Sequence, residues 1–220
     1  MAEAWAFARE KLMPALFEGD GLAADEKRDI AAGLAGFTGL PAEYWLSRGL
    51  RIGSPRDFMT GLLPGYTLDL YDARIKTPAD QPYNEIGGAD NMPLKVMNGL
   101  LMPRLGIRIR RLYYTGNINI PTRFNYETEA LPEPFKRTHL QCLRDAMRAN
   151  PGMKALFASG LYDLCTHAGN TRYAVNHAEL PMDRVRVREY PGGHGVYSSP
   201  EGREAFLKDV RRMITEKEEA

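Results

Sequence analysis

The chain has 220 residues, 44% hydrophobic and 26% charged, an ordinary globular make-up long enough for one large domain or two small ones. Its 29 Lys and Arg offset 28 Asp and Glu, so overall charge gives no footing for a nucleic-acid partner or a membrane surface. No uncharged run approaches the roughly 18 residues of a membrane-spanning helix, and the opening "MAEAWAFAREKLMPALF" carries acids where a secretory signal has a basic segment and an apolar block, which leaves the compartment open.

From Ala2 to about Leu63 the periodicity predicts short helices in "AEAWAFAREKLMPALFEG", "ADEKRDIAAGLAGFTG", "PAEYWLSRG" and "SPRDFMTGLL". Asp25 lies in a capping run, Pro41 and Ser54-Pro55 suit helix starts, and glycines 19, 39, 49 and 65 close the turns. "LPGYTLDLYDARI" alternates like a short strand. Lys76 to Pro93 reads as a long surface loop, of which residues 80–92 form a lid or a plain connector.

"PLKVMNGLLMPRLG" predicts a helix and "IRIRRLYYTGNIN" an extended segment, its basic run Arg108–Arg111 fitting a solvated strand face; residues 121–134 carry no clear pattern. In "FKRTHLQCLRDAMRANPG" a helix puts Leu140, Leu143 and Met147 on one face and stops at Asn150-Pro151-Gly152. A buried-length strand "MKALFAS", a helix "AGNTRYAVNHAEL", an alternating strand "RVRVREY" and a helix "SSPEGREAFLKDVRRMI" follow. The last helix bears an apolar stripe of Phe206, Val210, Met213 and Ile214.

That order of elements implies crossover connections and a parallel sheet, the α/β class. Ligands of such sheets bind beyond the carboxyl ends of the strands. Asp163 falls four residues after Ser159 and His194 four after Tyr190, so both leave the same edge and can meet. A carboxylate bonded to one imidazole nitrogen fixes the tautomer and stabilises the imidazolium formed when the other nitrogen takes a proton. Glycines 192, 193 and 195 are expected to bend the loop and present the ring. Spacing alone fits equally a strand-end Asp capping the next helix and a histidine in a turn.

"MKALFASGLYDLCTHAGNTRYAVNH" followed by "VREYPGGHGVY" resembles the closing segment of the serine carboxypeptidase-like family of α/β-hydrolases. There a strand ends in small-Gly-x-x-Asp, matched by Ser159-Gly160-Leu161-Tyr162-Asp163, and the last catalytic loop reads Gly-His-x-x-Tyr, matched by Gly193-His194-Gly195-Val196-Tyr197. "FTGLPAEYWLSRGLRIGSPRDFMTGLL" and "YDARI" are similar to that family's inserted helical cap. The resemblance implies a mainly helical cap over residues 1–134, with a long loop at 76–93, and over 135–220 the carboxyl-terminal part of the hydrolase core carrying Asp163 and His194 as acid and base. It implies a peptide substrate trimmed at its carboxyl terminus and no cofactor.

The family's order is Ser, Asp, His, with the serine on a G-x-S-x-G elbow. No such pentapeptide occurs, and serines 47, 54, 159, 198 and 199 lack its context. The expectation is that nucleophile and oxyanion hole lie upstream of Met1, that this chain alone is inactive, and that it pairs with that missing amino-terminal part or with itself. The alternatives are a non-catalytic chain binding a partner through residues 2–63 and its sheet edge, or an esterase or acyltransferase on the same fold.

His139, His167 and His177 with Cys142 and Cys165 show no tight zinc spacing, so no metal is expected. Cys165 is read as packing in the core or at a helix start, not as a nucleophile; Cys142 and Cys165 can pair or stay free. Trp5, Phe7, Phe17, Phe37, Tyr44, Trp45 and Phe58 recur at helical spacings, as helix packing or as walls of a substrate crevice.

Overall fold

A computed structural model describes residues 1–81, 95–108, 123–124 and 138–215. The described chain mixes helices with two two-stranded sheets, α/β in the broad sense. It forms two compact units, one of Met1–Leu70 with Arg74–Ala79, the other of Tyr71–Ala73 with Asp80–Ala220.

The first unit opens with α1 (Ala2–Phe7) and α2 (Met13–Glu18), joined by a π-helical turn at Ala8–Leu12. Pro14 explains the widened turn, because proline has no N–H to donate and its ring crowds the carbonyl one turn back. The second π turn, Met97–Leu101 in the other unit, likewise precedes a Met-Pro pair, Met102-Pro103. In α3 (Ala24–Thr38), Ile30, Ala31 and Leu34 fall on one face and pack with Ala15, Leu40, Leu50 and Trp45 of α4 (Ala42–Ser47). Asp25 stands in the first turn of α3, whose N-cap Ala23 makes no side-chain cap bond. Pro41, expected at a first helical position, is instead the extended flanking residue with ψ 152°. Ser54-Pro55 does start a helix, α5 (Pro55–Gly61), and glycines 19, 39, 49 and 65 all have positive φ.

The strand β1 (Tyr66–Leu68) pairs antiparallel with β2 (Lys76–Pro78), Thr67 opposite Thr77. The first three residues assigned to the surface loop are therefore paired, the Thr-Thr rung drawing them into a ladder. Residues 82–93 of that loop, most of the lid or connector at 80–92, residues 109–119 of the extended segment, and all of 121–134 except Arg123 and Phe124 lie outside the described residues.

In the second unit α6 (Met102–Arg104) continues the π turn, and α7 (His139–Ala149) begins with a capping box: the Gln141 N–H donates to Thr138 Oγ1 (3.2 Å) and the Thr138 N–H to Gln141 Oε1 (2.8 Å). The far end of α7 leaves carbonyls without partners in the helix. Arg184 Nη1 lies within hydrogen-bond distance of the carbonyls of Met147 (3.0 Å), Asn150 (2.9 Å), Pro151 (2.6 Å) and Met153 (3.1 Å).

The strands β3 (Ala155–Gly160) and β4 (Val185–Tyr190) pair in parallel, linked through α8 (Ala168–Asn176) as the pattern requires. Alternation along the strands separates two faces. Ala155, Phe157, Val185 and Val187 join the cluster of Leu140, Leu143, Met147 and Val175 from α7 and α8. Arg188 and Tyr190 face the other way, to α9 (Pro200–Thr215): the Tyr190 hydroxyl donates to Asp209 (2.9 Å) and its ring meets Phe206 edge-on at 5.7 Å. Helices thus cover both faces of this short sheet. The stripe on α9 ends early, for Ile214 is 74% exposed; position i+8 is turned about 80° from i.

Candidate functional site

The register pairs Gly160 with Tyr190, so both strands end level. Pairing then runs on into the loops: the Leu161 N–H donates to the Tyr190 carbonyl and the Tyr162 N–H to the Gly192 carbonyl, each at 3.0 Å. The strand reaches Gly160, one residue past the expected Ser159, so Asp163 lies three residues beyond β3 and His194 four beyond β4. His194 Nδ1 and Asp163 Oδ2 are 3.0 Å apart. A Cβ on Gly160 would sit 2.0 Å from the Gly193 carbonyl oxygen, which is why a residue without a side chain stands where the loops converge.

A third backbone segment, Tyr71–Ala73, ties both loops together. The Ala73 N–H donates to the Tyr162 carbonyl (2.9 Å) and the His194 N–H to the Tyr71 carbonyl (2.7 Å). The Tyr71 ring meets the imidazole edge-on, centroids 5.1 Å apart. Among glycines 192, 193 and 195 none has the positive φ that a sharp bend demands of glycine. Gly193 serves close approach instead: a Cβ there would lie 2.3 Å from the Tyr71 carbonyl oxygen.

The Asp163 side chain is 2% exposed and that of His194 48% exposed, so the pair has a buried end and a wet one. Backbone N–H groups of Cys165 (2.8 Å) and Thr166 (3.1 Å) donate to Asp163 Oδ1, while the Thr166 hydroxyl donates to Oδ2. Burial by itself would push this carboxyl up, but the donors from Thr166, Cys165 and His194 outweigh it and hold the carboxyl below its ordinary range. Asp163 caps the turn 163–166 and not α8, which His167 precedes without a side-chain cap. With Nδ1 facing the carboxylate, Nε2 has no hydrogen-bond partner among the described residues.

Ser159 is buried within β3, its Oγ 3.3 Å from Thr171 Oγ1. Cys165, expected to pack in the core or at a helix start, is exposed because its loop runs along the rim, and partial desolvation together with the Asp163 charge holds its thiol above the usual range. Both cysteines are free. His139 begins α7, and His177 stacks on Tyr173 and donates from Nδ1 to that residue's carbonyl. Among the described residues no three His, Cys, Asp or Glu side chains could hold a metal ion. Of the aromatic series, Phe7 meets Phe37 and Trp45 meets both Tyr44 and Phe58, whereas Phe17 is 90% exposed.

Thr166 and Tyr71 escaped the reading of the sequence. Thr166 had a readable signal, since a hydroxyl three residues after a strand-end Asp is a local turn pattern. Tyr71 had none. No family model, curated protein or solved structure matches this chain.

Proposed function

We propose that Asp163 and His194 are the orienting acid and the general base of a Ser-His-Asp hydrolase of the serine carboxypeptidase-like kind, with the nucleophile supplied by polypeptide outside these 220 residues. The observation that carries this reading is the 3.0 Å approach of His194 Nδ1 to the buried Asp163 carboxylate, with the imidazole half exposed. A carboxylate on Nδ1 holds the proton there and leaves Nε2 to accept one from a serine hydroxyl; the imidazolium then returns it to the leaving group. The acyl-enzyme is released by water that His194 activates in the same manner. Such a pair serves peptide hydrolysis, ester hydrolysis and acyl transfer alike, so the choice of a peptide carboxyl terminus rests on the likeness of "SGLYD" and "GHGVY".

The test is made on the product of the whole coding sequence, including whatever precedes Met1, with a fluorophosphonate probe and a peptide whose carboxyl-terminal residue can be released. Labelling and release are expected. His194→Ala should lower turnover by about four orders of magnitude, the scale seen when a triad member is disabled, with little change in melting temperature. Equal turnover in that variant would remove the mechanism. A stable, monodisperse product that never takes up the probe would favour the non-catalytic, partner-binding alternative.

A further inference from the structure

We propose that Thr166 is a positioning residue of the Asp163–His194 pair, its hydroxyl fixing the carboxylate rotation and the imidazole tautomer together; the proposal rests on the reading of that pair as acid and base. Thr166 Oγ1 lies in bonding distance of Asp163 Oδ2 and 3.3 Å from His194 Nδ1. Three polar atoms, Oγ1, Oδ2 and Nδ1, therefore close a triangle, and its protons can be counted.

An ionised carboxylate only accepts, so the single hydroxyl proton points at Oδ2 and the oxygen's lone pairs are left toward Nδ1. Nδ1 then faces two acceptors, Oδ2 at 3.0 Å and Oγ1 at 3.3 Å. A bare Nδ1 would set its lone pair against both. A protonated Nδ1 satisfies both, which puts the lone pair of the neutral ring on Nε2, the form a general base requires. Thr166 also donates its own N–H to Oδ1 (3.1 Å), so one residue grips both carboxylate oxygens and resists their rotation.

Thr166→Val keeps the backbone donor and nearly the same shape while removing the hydroxyl. Thr166→Ser keeps the hydroxyl. Thr166 is exposed, so water competes for the vacated position and the expected change is several-fold rather than complete.

The readout is the imidazole nitrogen spectrum of the ¹⁵N-histidine-labelled 220-residue chain, taken where the ring is neutral. The wild type and Thr166→Ser are expected to hold His194 mainly as the Nδ1–H tautomer. Thr166→Val should raise the Nε2–H population about fivefold, on the scale of one hydrogen bond between neutral groups, the one from Nδ1–H to Oγ1. Thr166→Ala serves as a second variant if the amide spectrum shows that Thr166→Val disturbs the fold. A wild type held as Nδ1–H with Thr166→Val and Thr166→Ala unchanged from it would overturn the role of Thr166 and leave the pair intact. A wild type mainly in the Nε2–H form would overturn the pairing itself and this proposal with it.

Discussion

Asp57 in the first unit and Asp163 in the second sit in similar chemical settings, each with a hydroxyl donating to Oδ2 and a carboxyl held below its ordinary range. The partners differ. Asp57 receives the Tyr44 hydroxyl, stands 3.3 Å from Ser54 Oγ and lies 3.7 Å from Arg48, whose guanidinium covers the Tyr44 ring at 5.2 Å. The Gly53 N–H donates to the Tyr44 oxygen at 3.1 Å. Burial and the Asp57 bond push the Tyr44 phenol up while that same bond lowers Asp57, so neither gives up nor takes a proton near neutrality. This network is structural glue between α4, the turn at Gly53 and the first turn of α5.

Asp163 is more deeply buried, and the partner that sets it apart, His194, comes from another strand end and has a second nitrogen on the wet side. A low carboxyl with a hydroxyl donor is therefore no mark of a reactive site. The imidazole across the rim makes the difference, because its first nitrogen holds to the carboxylate while the second is left to exchange a proton with a reacting group.

The sharpest way to break this contrast is Gly160→Ala, which forces a Cβ against the Gly193 carbonyl and should cost about 3 kcal/mol while separating Asp163 from His194. Urea unfolding and the loss of the His194 Nδ1–H resonance would report it; unchanged stability would mean that the two loops do not meet there.

Next, Asp163→Ala should cost about 2 kcal/mol near neutral pH, because the Cys165 and Thr166 N–H groups lose a charged acceptor. The sign with pH follows from the lowered carboxyl. Its stabilisation is complete above the ordinary carboxylate range and is lost as pH falls through the depressed folded value. The stability gap between wild type and Asp163→Ala should accordingly narrow in acid, as read by unfolding curves at a series of pH values. A gap that widened in acid would contradict the assignment.

The smallest effect belongs to Tyr44→Phe, about 1 kcal/mol for a part-buried hydroxyl bond, with no change in the His194 imidazole spectrum. A shift of His194 in that variant would show that the two networks are linked.

Much of the second unit was legible. Period-two alternation in "RVRVREY" and the apolar run "MKALFAS", separated by one helical stretch, became β3–α8–β4 in parallel register, and the helical face of Leu140, Leu143 and Met147 became its cover. Those signals survive because burial of one face dictates both residue spacing and local geometry. What was not legible depends on neighbours. Ile214 continued a stripe that in the fold stops short of it, Lys76–Pro78 looked like loop until Thr67 came opposite Thr77, and the glycines of the His194 loop seemed to serve bending when one of them makes room for the backbone of Tyr71.

By itself the sequence determined that an aspartate and a histidine would leave the same rim of a parallel sheet, since element order and strand length set that edge. Only the tertiary structure decided that the two side chains touch, that Thr166 joins them, and that Tyr71 holds the histidine loop from a distant stretch of chain. Residue spacing encodes which edge a loop leaves, whereas distances of a few ångströms between loops are set by backbone bonds and side-chain volumes from segments far apart in the chain.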